Sequence, residues 1–116
     1  MSYVPPHLSV PRKELEKLQS ILSKTSKLLC LTGAGISTES GVPDYRSQDV
    51  GLYARTNRRP IQHKTFMESR KARQSYWARN YVGWPTWAGV QPNPAHAALF
   101  RWEQQSKLIH LSLIHI

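Results

Sequence analysis

The sequence predicts an α/β fold built on a parallel sheet. Three features in chain order predict it: an amphipathic helix within residues 11–26, a short apolar segment at residues 28–32, and a glycine-rich stretch that follows this segment directly. A short apolar run that ends at glycine is typical of a strand covered on both faces, as strands of parallel sheets are. A helix, a covered strand and a glycine-rich loop in this order are characteristic of α/β proteins.

The first helix is predicted from its apolar spacing. One face carries apolar residues three and four positions apart, namely Leu15, Leu18, Ile21 and Leu22. Pro11 is compatible with the first turn of this helix, and residues 1–10, with two adjacent prolines, are predicted to form an extended leader. The apolar segment contains the sole cysteine, Cys30, which predicts a buried, unreactive thiol and excludes an intrachain disulfide within these residues.

The middle of the chain has weaker patterns. Residues 48–64 are polar and basic, and we expect a long surface loop there. A second helix is predicted over residues 65–81, although its aromatic residues are spread over a wide arc. Trp84 and Pro85 are expected to break this helix, because proline cannot donate the next helical hydrogen bond.

A third helix is predicted to begin at Asn93 and Pro94. Asparagine can cap a helix with its side chain, and proline suits the first helical position. We expect this helix to end near Lys107 and a second strand to occupy residues 108–116.

Composition and charge limit the classes of function. A chain of 116 residues with 40% hydrophobic residues has the size and balance of one small globular domain. Its net charge is +9, and residues 55–79 contain eight of the sixteen basic side chains, so we expect this region to attract anions. No apolar run reaches the ~18 residues of a membrane-spanning helix, so we expect no membrane partner. The first ten residues resemble neither a secretory signal nor a transit peptide.

The glycine-rich stretch predicts an anion-binding loop. Loops that leave a buried strand expose backbone N–H groups, and α/β proteins bind phosphates there. Gly33 and Gly35 carry no Cβ atom, so an anion can approach the backbone closely. The third glycine, Gly41, is too far along to match the G-x-G-x-x-G pattern, and no Gly-Lys-Ser/Thr follows.

A tight turn is the structural alternative for this glycine-rich stretch, and the residues after it argue against that alternative. Asp44, Tyr45 and Arg46 follow Pro43 directly. They provide a hydrogen-bond acceptor, an aromatic ring and a bidentate phosphate donor. A turn alone rarely needs such a group, so we interpret the loop as a phosphate site of a less common kind.

Two motifs resemble a known family. GAGIS at residues 33–37 and GVPDYR at residues 41–46 are similar to the signature of the sirtuins, enzymes that use NAD to remove acyl groups from lysine or to transfer ADP-ribose. GLYARTNRRPIQH, YWARNYVGWP and QPNPAHAAL resemble the mitochondrial class II branch, which is associated with lipoamidase, deacylase and ADP-ribosyltransferase activity. The resemblance covers residues 11–108. It implies that residues 11–116 are the amino-terminal, incomplete part of a Rossmann-like NAD-binding catalytic domain from the mitochondrial matrix.

The resemblance also implies which residues contact the cofactor. The NAD-binding set carried over from the family motif is Gly33, Ala34, Gly35, Ile36, Ser37, Thr38, Glu39, Pro43, Asp44, Tyr45 and Arg46. Arg46 would neutralise phosphate charge, and the ring of Tyr45, where the family often has Phe, would shield the ribose from water. Tyr76 and Arg79, three positions apart, resemble a Tyr-x-x-Arg pair that recognises acidic acyl chains in a related branch. The structural alternative is a surface arginine packed beside a half-buried tyrosine.

Other parts of the family pattern do not occur in this sequence. It has no Gln-Asn-x-Asp segment, no His-Gly general base and no set of four zinc cysteines. We therefore assign no catalytic residue and no metal ligand in this sequence. Zinc is expected only in the full-length family domain, and this chain alone is expected to be inactive. Acyl-lysine proteins are the implied substrates. His96 is interpreted as a packing or capping residue, while His110 and His115 are expected to point to opposite faces of a strand.

A different class of function stays open at this point. A small nucleic-acid or polyanion-binding module could use the basic side chains Arg55, Arg58, Arg59, Lys64, Arg70, Lys71 and Arg73. These residues match no recognised nucleic-acid-binding module, so we regard a nucleic-acid partner as the weaker hypothesis.

Overall fold

A computed structural model describes residues 3–113 of the chain. The elements in chain order are α1 (Arg12–Lys24), β1 (Leu28–Leu31), the 3-10 helix η1 (Ala34–Ser40), α2 (Leu52–Arg55), α3 (His63–Glu68), α4 (Arg70–Ala88), α5 (Pro94–Gln104) and β2 (Leu108–Ser112). The mixture of helices with a parallel strand pair confirms the predicted α/β class.

The two strands form a parallel sheet. Cys30 is paired with Leu111, and Leu31 with Ser112. The backbone N–H of Thr32 donates to the carbonyl of Ser112 at 2.8 Å, which extends the pairing beyond β1. Parallel neighbours require a long crossover, and here it runs through η1 and α2 to α5. This crossover places the glycine-rich stretch and α5 at the same end of the sheet.

The expectation that β1 is covered on both faces is wrong. Leu29 and Leu31 are 62% and 56% exposed, and Cys30, expected to be buried, is only half-buried. Among residues 3–113, Leu99 of α5 is the one large apolar residue that is buried, and it keeps 8% of its surface exposed. The radius of gyration is 17.7 Å, whereas a compact domain of this length has ~13 Å. The core is therefore small and lies where α5 packs on β2.

The predicted helix over residues 65–81 is two helices, α3 and α4. Ser69 has an extended backbone between them, and its side chain accepts a hydrogen bond from the N–H of Ala72 at 3.2 Å. It therefore ends α3 and caps α4. The predicted surface loop over residues 48–64 also contains one helical turn, α2.

Pro85 does not break α4, contrary to the prediction. The helix continues to Ala88. A proline at this position removes a single helical hydrogen bond to the carbonyl four residues earlier. That carbonyl belongs to Tyr81, which is 85% exposed, so water can satisfy it.

The start of α5 is confirmed, and three other boundaries differ from the prediction. Asn93 caps α5 and Pro94 is its first residue, but the helix ends at Gln104 rather than near Lys107. Ser106 has a φ of 53°, a left-handed conformation that does not occur within a right-handed α-helix. At the other end of the chain, Pro11 lies just before α1 rather than within it. β2 ends at Ser112, while residues 114–116, including His115, lie outside the described range.

Candidate functional site

The glycine-rich stretch forms η1 directly after β1. The hydroxyl of Thr38 donates to the carbonyl of Gly35 at 2.9 Å, which holds the helical turn from within. Gly41 ends the helix with a φ of 87°, a left-handed conformation that favours glycine. The third glycine of the motif therefore has a structural role at the end of η1, and the backbone around Ala34 and Gly35 stays exposed.

The chain itself holds the Asp-Tyr-Arg segment in place. The carboxylate of Asp44 accepts hydrogen bonds from the backbone N–H of Ser47 at 3.1 Å and from its hydroxyl at 2.5 Å. A Cβ atom on Gly51 would lie 2.6 Å from the backbone nitrogen of Ser47, so only glycine permits this close approach. The Tyr53 N–H donates to the carbonyl of Tyr45 at 3.0 Å, and the two rings are 5.8 Å apart. These contacts fix where Tyr45 points.

A cavity of about 750 Å³ opens beside η1. This volume lies within the ~300–1,000 Å³ typical of ligand clefts. Six residues of the predicted cofactor set line it: Gly33, Ala34, Ile36, Ser37, Tyr45 and Arg46. Sequence reasoning missed the opposite wall, which α5 and β2 provide through His96, Leu99, Phe100, Glu103, Leu108 and Leu111. The cavity therefore combines an apolar wall with a loop of exposed backbone.

The other five residues of the predicted set lie outside the cavity lining. They are Gly35, Thr38, Glu39, Pro43 and Asp44. Thr38 is buried and Asp44 is bonded to Ser47, so both stabilise the shape of the loop. Glu39 is exposed and lies beside a separate surface hollow. Gly35 is exposed, and a Cβ atom there would meet only Asp44 Oδ2, at an ordinary 4.0 Å.

Arg46 brings to the cavity a positive charge that no ion pair within residues 3–113 neutralises. Its side chain is exposed, and it makes no hydrogen bond or ion pair within residues 3–113. The one ion pair in this part of the chain joins Arg12 to Glu16 on α1, at 2.8 Å. Glu103 lines the cavity as well but is not paired with Arg46. The guanidinium is therefore available to an anionic ligand.

Asn93 and His96 connect α5 to η1. Asn93 is buried and donates from Nδ2 to the carbonyl of Ile36 at 2.7 Å. Its Oδ1 accepts from the N–H groups of Ala95 and His96, and His96 Nδ1 accepts from the Asn93 N–H at 3.1 Å. His96 Nε2 lies 3.5 Å from the hydroxyl oxygen of Ser37. The expected capping role of His96 is confirmed, and the contact with Ser37 is an addition that no local sequence signal indicates.

Tyr76 and Arg79 share one side of α4, away from the cavity. The Arg79 guanidinium carbon is 5.9 Å from the centre of the Tyr76 ring. The same ring packs edge-on against Phe66 of α3, with ring centres 5.2 Å apart. This arrangement matches the structural alternative of a half-buried tyrosine beside a surface arginine. A role for the pair in acyl recognition stays a prediction.

Several members of the basic set are engaged within the chain. The guanidinium of Arg55 lies 4.7 Å from the ring of Tyr3, and that of Arg59 lies 4.3 Å from the ring of Tyr53. Arg73 donates to backbone carbonyls of α3 at 2.9 and 2.7 Å. These contacts reduce the number of basic groups that are free to bind a polyanion.

The part of the chain that the structure describes contains neither a cluster of metal ligands nor a membrane-spanning helix. Across residues 3–113, no three side chains from His, Cys, Asp and Glu come close enough to hold a metal ion together. Over the same residues, no helix has the length and apolar character needed to cross a membrane.

A glycine-rich loop after a parallel strand, with a cavity beside it at the carboxyl ends of the strands, is the arrangement of Rossmann-like nucleotide-binding proteins. The family model of the Sir2 family matches residues 33–113. The chain therefore belongs to the Sir2 family, as its motifs predicted.

Curated relatives extend this likeness over most of the chain. It is 57% identical over 106 residues to the NAD-dependent protein lipoamidase sirtuin-4, mitochondrial, of Bos taurus, an overlap of 91% of this chain and 34% of the relative. Identity to the protein of the same name in Homo sapiens is 55% over 109 residues, which cover 94% of this chain and 35% of the relative. The NAD-dependent protein deacylase Sirt4 of Drosophila melanogaster is 51% identical over 106 residues, which cover 91% of this chain and 34% of the relative. The chain thus spans about a third of the length of these relatives.

Proposed function

We propose that this chain is the NAD-binding segment of a mitochondrial sirtuin-type enzyme, either an NAD-dependent protein-lysine deacylase or lipoamidase, or an ADP-ribosyltransferase. Its place in the Sir2 family supports the reaction class. The relatives named as NAD-dependent lipoamidases and deacylases support the cofactor and protein substrates, and the two named as mitochondrial support the compartment. Acyl-lysine side chains are the substrates we propose.

The observation that carries the proposal is the cavity beside η1. It combines exposed loop backbone with the unpaired guanidinium of Arg46. Gly35 also fits a ligand that approaches the backbone, because a Cβ atom there would clash with nothing in the chain. The protein's own packing thus does not require glycine at that position, whereas a diphosphate lying against the loop would.

Each wall of the cavity would contribute differently to a bound dinucleotide. Arg46 would neutralise phosphate charge, and the apolar side chains of Leu99 and Phe100 would exclude water from the reacting end. NAD, when bound, supplies a ribose carbon that becomes electrophilic as nicotinamide leaves. Tyr45 lines the same cavity and would shelter that region. No residue of this sequence is proposed as the general base, since its five histidines include no His-Gly pair.

Replacing Arg46 tests the proposal. In the complete gene product, Arg46→Ala should weaken NAD binding by about 1–3 kcal/mol, the scale of a charge-assisted hydrogen bond. This corresponds to roughly 5- to 150-fold in the dissociation constant, measured by titration calorimetry. Arg70→Ala is the matched control, because Arg70 is exposed on α4 and lies outside the cavity lining. Unchanged affinity in Arg46→Ala would refute the assignment of the loop.

The polyanion-binding alternative makes a different prediction. Binding through phosphate contacts alone weakens steeply as salt rises. A flat response of oligonucleotide retention to salt would eliminate this alternative. The contacts of Arg55, Arg59 and Arg73 within the chain already argue against it.

A further inference from the structure

The hydrogen bonds of His96 determine which of its ring nitrogens carries the proton. Nδ1 lies 3.1 Å from the backbone nitrogen of Asn93. A backbone N–H can only donate, so Nδ1 must be the acceptor and has no proton. The neutral ring then carries its proton on Nε2, which lies 3.5 Å from the Ser37 hydroxyl oxygen, at the long end of hydrogen bonding.

This tautomer sets the direction of the contact with Ser37. The Nε2–H group donates, so the hydroxyl oxygen of Ser37 accepts. The hydroxyl proton of Ser37 is then not needed for this contact and can be donated elsewhere. Both side chains line the cavity beside η1. A ligand in the cavity can therefore accept this proton in place of water.

Capping alone does not account for a histidine at this position. Position 96 is the third residue of α5, where a glutamate, which only accepts hydrogen bonds, also completes a capping box. Capping uses only Nδ1. A histidine adds a second nitrogen on a rigid ring, at a fixed distance from the first, and here that nitrogen meets a residue 59 positions earlier in the chain.

We propose that His96 is a positioning residue for the dinucleotide site. By donating from Nε2 to Ser37, it orients the Ser37 hydroxyl so that its proton is presented to a phosphate oxygen of the bound ligand. Asn93 supports the arrangement, since it holds both the start of α5 and the carbonyl of Ile36, next to Ser37. The inference rests on the proposed function, because it takes the cavity to be the dinucleotide site.

A double-mutant cycle in the complete gene product tests this role. Ser37→Ala, His96→Ala and the double variant are compared with the wild type by calorimetric titration with NAD and by thermal unfolding. His96→Ala should raise the dissociation constant about tenfold, the effect of one hydrogen bond. The double variant should bind within about twofold of Ser37→Ala, because His96 acts through Ser37. Thermal unfolding measures the separate loss of capping in both backgrounds.

Conservative variants sharpen the test. His96→Gln can accept from the Asn93 N–H and donate towards Ser37, so it should restore affinity to within about threefold of the wild type. His63→Ala is the matched control, since His63 is exposed at the start of α3. If the alanine variant at position 96 does not fold, His96→Phe preserves the ring volume and takes its place in the cycle.

Each outcome decides between two explanations. The positioning role would be overturned if His96→Ala lowered the unfolding temperature but left NAD affinity unchanged. It would also be overturned if the fold-changes in dissociation constant of the two single variants multiplied in the double variant. The proposed function would stand in both cases. A wild-type protein that does not bind NAD would overturn the proposed function itself.

Discussion

Asn93 caps α5 and also hydrogen-bonds to η1, so its replacement should have a large effect on stability. Asn93→Ala removes the side-chain acceptor for the N–H groups of Ala95 and His96. It also removes the donor to the carbonyl of Ile36, a bond of 2.7 Å that joins residues 57 positions apart. Asn93 is 7% exposed, so water does not replace these bonds in the folded protein.

The expected magnitude is a sum of two terms. Loss of a helix cap costs about 1 kcal/mol. Loss of the bond to Ile36 costs about 1–1.5 kcal/mol, and it falls at the lower end because Ile36 is only half-buried. We therefore expect Asn93→Ala to reduce the free energy of unfolding by about 2 kcal/mol. Asn93→Ser keeps a neutral capping acceptor and loses the donor to Ile36, so about 1 kcal/mol is expected for it.

Urea denaturation of the complete gene product, followed by circular dichroism, measures both variants. Gln91→Ala is the control, because Gln91 is an exposed amide side chain in the same loop, and it should change stability by less than ~0.5 kcal/mol. An alanine variant as stable as the control would refute the reasoning. Ser and Ala variants that lose equally would show that the cap contributes nothing.

Two other predictions concern the loop and the chain as a whole. Gly35→Ala should change the free energy of unfolding by less than ~0.5 kcal/mol, because the added Cβ meets no close atom. The same variant should bind NAD at least about tenfold more weakly by calorimetry. Unchanged affinity would contradict a close approach of the ligand to the backbone. The 116-residue polypeptide by itself should show no NAD-dependent deacylation of an acyl-lysine peptide by mass spectrometry, because its sequence contains no His-Gly pair. Turnover would overturn that expectation.

Local signals predicted the elements that depend on local chemistry. Asn93 and Pro94 identified the start of α5, because a capping side chain and a fixed φ act within one turn. The apolar run ending at Gly33 identified β1 to within one residue. Six of the eleven residues predicted to bind the cofactor line the cavity beside η1, and their contact with a cofactor stays a prediction.

Features that depend on tertiary packing could not be predicted in this way. The wall formed by α5 and β2 joins residues far apart in sequence, and nothing near His96 indicates that Ser37 lies beside it. The break at Ser69 was missed because the weak apolar pattern of residues 65–81 does not indicate where one helix ends and the next begins. The apolar pattern of β1 predicted two covered faces, whereas among residues 3–113 the sheet has two strands and leaves Leu29 and Leu31 exposed.

The most direct test of the central claim is a crystal structure of the complete gene product bound to NAD. The account predicts that the diphosphate lies against the backbone of residues 34–37, with the Arg46 guanidinium and the Ser37 hydroxyl within hydrogen-bonding distance of its oxygens. A dinucleotide bound elsewhere, with Arg46 in solvent and no ligand beside η1, would contradict it.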